Sequence, residues 1–322
     1  MNPTLAEIAQ AAQRLGYSSS HPAALPSHEF LLLHGKNKSL LINKTRSPFL
    51  SSVHAKLVTD KHLSGEMLKA AGFPMAPKIL SHHFSNTDIV FLETHKEIVV
   101  KPNRMDRGLG VTDGVQTVVD LKQSYTSAAA YGSVVLEKHI RGKEYRILVI
   151  NGQAVAALER KPLALTGDGH STIQELINQM NQDPRRGSAN DRKPLRPIRT
   201  DVDMKKKLEK IGFNLRSILP ANQIVQISFS NHLDSGGIAS DCTDTAHPDN
   251  LKIAEEAARL FSIDVAGIDL ICPNITDSIK TSVGHAAILE VNPGPDIIWH
   301  LYPAEGKSRP VAEQFINYIF QN

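Results

Sequence analysis

Residues 144–160 read EYRILVINGQAVAALER. Apolar residues fill both halves, and Asn151-Gly152 stands between them. Asn-Gly accepts the positive φ angles that a two-residue type I′ turn demands, so the stretch predicts two antiparallel strands closed by a tight hairpin. Working outward, SVVLEKHI (133–140) and EIVVKPN (97–103) predict strands on the N-terminal side. AGIDLIC (266–272) and HAAILEVN (285–292) predict two more, joined by a turn. EFLLLHG (29–35) and SLLINKT (39–45) read as a further pair near the start of the chain. Helical spacing marks residues 1–17, 60–71, 118–131, 172–180, 249–263 and 309–320. In the second of these, Asp60 is placed to cap the start, while Gly72, Pro74 and Pro77 stop the helix. Residues 161–218 read as irregular and charged apart from 172–180. Strands and helices alternate throughout, which predicts an α+β or α/β protein.

Bulk composition narrows the function. The chain has 322 residues, enough for two domains or one domain with sub-lobes. Lys+Arg total 36 against 33 Asp+Glu, and the signs are mixed along the chain, which argues against nucleic acid as partner. Two cysteines without metal-type spacing read as thiols in a reducing compartment. The first residues carry Glu7 and lack a signal-type apolar core, and no apolar run reaches membrane-spanning length. The expectation is a cytoplasmic protein with no membrane and no nucleic-acid partner.

ILEVNPGP (288–295) raises a chemical question, because a strand ends there in a carboxylate and an amide before a forced turn. Glu290 and Asn292 are two apart and share a strand face. Asp269 in AGIDLIC could lie on a neighbouring strand, same face. Two carboxylates and an amide oxygen form a donor set for a hard cation, Mg²⁺ best; ordinary polar caps on a strand end read the same way. Lys101 ends the IVVK run, and RMDRGLGV (104–111) supplies Gly108 and Gly110, whose backbone could approach phosphate. A plain surface turn is the alternative. In VLEKHIRGKEYR (135–146) a strand meets Glu137, breaks at Lys138-His139-Ile140 and restarts. Such a hinge could offer backbone groups to a purine, with Glu144 on ribose and Arg146 near phosphate; a charged hairpin edge is the bland reading. Trp299 beside His300 either walls a pocket or sits in the core, and His139 reads as facing solvent.

Taken in order, these pieces resemble the ATP-grasp superfamily, and more narrowly the ATP-grasp domain found in cyanophycin synthetases and bifunctional glutathione-forming ligases. TDKHLSGEMLKAAGFPMAP, the long stretch 142–187, SGGIASDCTDTAHPDN and VNPGP…WHLYPAEGKSRPV carry the likeness, from about Phe30 onward. The resemblance implies an α+β fold of two lobes holding ATP between them, after a small N-terminal α/β region: 1–58, then a small lobe and lid over 59–136, then a large lobe over 137–322. It implies ATP and Mg²⁺ as cofactors, with Asp269, Glu290 and Asn292 on the metal. It places Lys61, Lys101, Arg107, Gly108, Gly110, Glu137, Lys138, His139, Ile140, Glu144 and Leu289 around the nucleotide. It gives Arg146, Lys101 and His300 catalytic parts, and Ser235, Gly236, Gly237, Trp299 and His300 the substrate. The activity implied is amide formation between amino acids or small peptides through an acyl phosphate. Because many relatives self-associate, a homodimer is also implied as possible.

The chain departs from the family pattern at Ser228 and Ile298, where arginines are usual, and at His232, where Asn is usual. These changes touch the acceptor pocket and leave open a catalytically altered ATP-binding regulator or scaffold. Arg185, Arg186, Arg196, Arg199 and Arg216 are the candidates to replace the missing charge.

Overall fold

A computed structural model describes residues 2–22, 29–106, 108–188, 191–228, 233–282 and 284–321. Arg107 and His232 lie outside the described residues. The chain opens with α1 (Pro3–Arg14), β1 (Ser18–Ser20), β2 (Phe30–His34) and β3 (Ser39–Asn43). Then come α2 (Ser52–Thr59), α3 (Lys61–Ala70), β4 (Lys78–Ser81), α4 (Asn86–His95), β5 (Ile98–Pro102), β6 (Thr112–Val115), α5 (Val118–Ala129) and β7 (Val134–Lys138). The hairpin is β8 (Lys143–Ile150) and β9 (Gln153–Lys161), followed by β10 (Ala164–Thr166), α6 (Ile173–Asn181), α7 (Val202–Lys210), β11 (Ile224–Gln226) and β12 (Ile238–Asp241). The chain closes with α8 (Pro248–Leu260), β13 (Val265–Cys272), β14 (Ala287–Pro293), α9 (Ile298–Leu301) and α10 (Val311–Gln321).

Two antiparallel sheets organise the molecule. The smaller has the order β4-β7-β5-β6, and α4 and α5 cover one face through Phe91, Leu121 and Tyr125 packed on Ile98, Val100, Val134 and Leu136. Its opposite face carries Lys78, Glu137 and Lys101. The larger sheet runs β12-β9-β8-β13-β14 and is covered on both faces. Helix α8 seals one face with Ile253, Ala257 and Phe261 over Tyr145, Ile147 and Ile268. On the other, α1, β2, α9 and α10 share a core with Leu148, Ile150 and Leu158. Each such aliphatic side chain contributes about 1.5–3 kcal/mol on burial.

The N-terminal region therefore shares one core with the C-terminal helix rather than forming its own. The boundary read at residue 136 falls inside β7. Within 161–218, expected to be irregular apart from 172–180, α7 forms as well as α6. Strands β10 and β11 pair, and α6 and α7 pack around Leu165, Leu176, Met204 and Leu208 as a small separate core.

Candidate active site

The expected oxygen donors meet at the edge of the larger sheet. Asp269 stands opposite Glu290 on β14 and opposite Arg146 on β8. Beside this pair the β13–β14 register slips, leaving Leu289 as an extra residue. The bulge explains how Ile288 and Val291, three apart, both enter the core under α8 while Glu290 and Asn292 stay on Asp269's face. The Asn292 amide nitrogen donates to Glu290 Oε1 at 3.0 Å and lies 3.3 Å from Asp269 Oδ2. A half-turn of that amide presents its oxygen at the same point.

Cations converge on the same carboxylates. Arg146 forks both oxygens of Asp269, and Arg160 adds a contact at 3.3 Å. Burial pushes the Asp269 carboxyl up, but the two guanidiniums outweigh it and hold the group well below the ordinary carboxylate range. Gly267 makes the arrangement possible, since a Cβ there would sit 2.9 Å from Arg146 Cδ. Lys61 lies 3.8 Å from Glu290 and donates to the Met105 carbonyl at 2.6 Å, joining α3 and the glycine loop to the carboxylates. Asp60 caps α3 through the Leu63 amide and grips Arg104 and Asn103, fixing the root of the same loop. Gly108 and Gly110 take φ of 72° and 70°, the left-handed region that glycine adopts without strain.

On the smaller sheet Glu137 is buried between two ammoniums. Lys101 lies 3.0 Å from Oε1 and Lys78 lies 2.9 Å from Oε2. Below the hinge, Leu289 joins Ala76, Ile140, Ile271 and Ala287 in a small apolar cluster. The amides of Lys138 and His139 donate to the carbonyls of Pro77 and Glu97. Glu144 sits opposite Ile271 and Arg160, on the face of Arg146.

His139 does not face solvent as expected: its Nε2 lies 3.2 Å from Asp113 on β6, and Nδ1 lies 3.6 Å from Glu97. The Asp113 contact raises its pKa against the lowering effect of burial. A raised His contributes stability below its ordinary value of about 6.5 that is lost as pH climbs through the higher folded value. His139→Gln should therefore lower the melting temperature at pH values below that ordinary value and have no effect well above the folded one. Equal losses at both ends would rule out a stabilising charged contact between His139 and Asp113.

His300 is 1% exposed, and its Nδ1 has no hydrogen-bond partner among the described residues. Burial, with Arg146 and Arg160 nearby, pushes its pKa down to about 3. Held that low, the ring stays in its neutral form near pH 7. Trp299 belongs to the core and carries the Arg196 guanidinium 4.4 Å over its ring. Ser228 accepts a bond from the Leu163 amide, and Ile298 is part of the core. Gly236 holds φ of 96° against Ile198 and Leu163, in the turn from Ser235 to Gly237.

No protein-family model matches the chain. A cyanophycin synthetase of Synechocystis sp. is 33% identical over 285 residues, 87% of this chain and 32% of that protein. The glutathione biosynthesis bifunctional protein of Listeria monocytogenes is 32% identical over 230 residues, 70% of this chain and 29% of that one. The chain thus spans about a third of the length of these relatives. The bifunctional glutathione synthetase of Pasteurella multocida superposes with a TM-score of 0.71 at 23% identity, over 100% of this chain and 43% of that one. The ATP-grasp ligase PsnB, solved with Mg and ADP, superposes over 98% of this chain and 94% of that one, with a TM-score of 0.51 and 11% identity. Over these spans the chain has the fold of the ATP-grasp ligases.

Within the ATP-grasp frame, two residues at the site escaped the sequence reading. Arg160 was hidden by a second bulge between Leu148 and Val149, which shifts the β8–β9 register so that Arg160, not Glu159, faces Glu144. Of the arginines named as replacements, Arg185 pairs with Asp183 on the surface, Arg186 bonds backbone carbonyls and Arg196 rides on Trp299. Arg160, which was not among them, joins Arg146 beside Asp269. Lys78 is the second omission; it follows Pro77 and carries no motif.

Proposed function

We propose that the chain is an ATP-dependent carboxylate–amine ligase that joins amino acids or small peptides and releases ADP and phosphate. One observation carries the reading: Asp269, Glu290 and Asn292 converge on one sheet edge, facing Lys61, the glycine loop and Arg146. Two carboxylates and an amide suit Mg²⁺, and each carboxylate oxygen keeps lone pairs beyond those its arginine uses. When bound, Mg²⁺ would neutralise charge on the triphosphate.

The chain's own residues supply the rest. Backbone amides near Gly108 and Gly110 can wrap phosphate oxygens, and Lys61 and Lys101 bring positive charge to them. The apolar cluster around Leu289 suits a purine. Arg146 and Arg160 stand where a substrate carboxylate would approach. A carboxylate oxygen bonds to the γ-phosphorus as the bond to ADP breaks; the amine nitrogen then bonds to the acyl carbon as phosphate leaves and the amine sheds a proton. The turn from Ser235 to Gly237 offers backbone amides to the acyl group.

The test is an ADP-release screen of amino acids and short peptides, with mass spectrometry of the product. ADP release should require a carboxylate and an amine together, and the product should weigh their sum less one water. Nucleotide binding with no turnover on any pair would favour an ATP-binding regulator instead, the reading that Ser228 and Ile298 keep open.

A further inference from the structure

Glu137 has a counter-ion to spare. Its two oxygens each face one ammonium, so three buried groups carry a net positive charge. The two lysines differ in freedom. The Lys101 side chain keeps 11% of its surface exposed, while Lys78 keeps 2%. Lys78 reaches Glu137 from the side of α3, and it fits because residue 65 is glycine. A Cβ at Gly65 would lie 2.6 Å from Lys78 Nζ and 3.0 Å from Cε. Glycine inside a helix costs about 1 kcal/mol relative to alanine, so its presence in α3 calls for a local reason, and the ammonium seated against it supplies one. Burial lowers the Lys78 pKa, and Glu137 acts to keep the group charged.

A buried carboxylate stripped of every partner is severely penalised. If Glu137 had Lys101 alone, that pair would be neutral and closed, and phosphate could recruit Lys101 only by stranding Glu137. With Lys78 fixed behind, Glu137 remains paired whichever way Lys101 turns. We propose that Lys78 is a positioning residue of the nucleotide site, which holds Glu137 from behind and so frees Lys101 to serve the phosphates. This rests on the nucleotide-dependent reading given above, and it assigns Lys78 a part in affinity for the triphosphate rather than in the chemical step.

The experiment is calorimetric titration of the full chain with MgATP and with adenosine, alongside steady-state turnover. Lys78→Met should weaken MgATP by at least about 10-fold, the effect of roughly 1.4 kcal/mol. Adenosine affinity should change far less, and kcat at saturating ATP should hold while KM for ATP rises. In a Glu137→Gln background, where no carboxylate captures Lys101, the same Lys78→Met change should have little effect on MgATP. Should Lys78→Met fail to fold, Gly65→Ala displaces the ammonium while keeping the residue, and should show the same selective loss of MgATP in milder form. Equal losses for adenosine and MgATP, an unchanged MgATP affinity in both folded variants, or an undiminished effect in the Glu137→Gln background would overturn the proposal. A wild-type chain that binds no nucleotide would overturn the ligase reading and this one together; nucleotide binding with indifferent Lys78 variants would overturn this one alone.

Discussion

Asp269→Asn should abolish most turnover and also loosen the fold. Asp269 is 5% exposed and is the shared partner of Arg146 and Arg160. Asparagine matches its shape but returns no charge to the two guanidiniums. Removing one side of such a buried network typically costs about 3–5 kcal/mol. Turnover should fall by at least about 100- to 1,000-fold, the range seen when one preorganised electrostatic group is removed. Glu290→Gln separates the two effects. Glu290 is partly exposed and stands 3.8 Å from its nearest cation, Lys61. Its loss should reduce turnover comparably while leaving the melting temperature near that of the wild type. Thermal melts and ADP release on the same preparations check both. The pH dependence follows the same logic. A carboxylate held below its ordinary value of about 3.9 stabilises the fold above that value and stops doing so as pH falls through the lower one. The acid limb of the stability curve should therefore flatten in Asp269→Asn.

Glu137→Ala is the second large effect expected. Glu137 is held below the ordinary carboxylate range even though burial alone would raise it, because Lys101 and Lys78 flank it. Without it, two ammoniums share a buried corner with no counter-charge, at a cost of about 3–5 kcal/mol. The signature lies in the pH dependence. Lys78, already lowered by burial, would be driven lower still, so the folded variant would bind fewer protons than the unfolded chain. Stability then rises with pH, and the gap between variant and wild type should narrow as solutions become more alkaline. Denaturant melts across neutral to alkaline pH measure this directly. A gap constant with pH would mean that the loss arises from packing alone.

How far these features could be read beforehand depended on whether a local signal existed. The Asn151-Gly152 hairpin forms as its dipeptide demands, with Asn151 at φ 52° and Gly152 at 73°. Asp269 beside Glu290 was legible because both strands show plain apolar runs and side-chain alternation sets the face. What escaped notice depends on distant partners. No sequence rule announces the bulges that expose Leu289 and bring Arg160 to Asp269. The Gly65–Lys78 fit joins a helix to a strand with the Pro-rich turn between them. Helix α4 has apolar residues on several sides, and its start is marked mainly by the Ser85–Asp88 capping box. Helix α7 is rich in lysine and sends Met204 and Leu208 into the core. The burial that keeps His300 neutral is likewise something a sequence does not display.

The central claim is that Asp269, Glu290 and Asn292 hold a divalent ion against the nucleotide's phosphates. Electron paramagnetic resonance of Mn²⁺, titrated into the protein with a nonhydrolysable ATP analogue, tests it most directly. The wild type should bind Mn²⁺ tightly only when the analogue is present, and Glu290→Gln should lose most of that binding while remaining folded. Undiminished Mn²⁺ binding in Glu290→Gln, or none in the wild type with saturating analogue, would contradict the account.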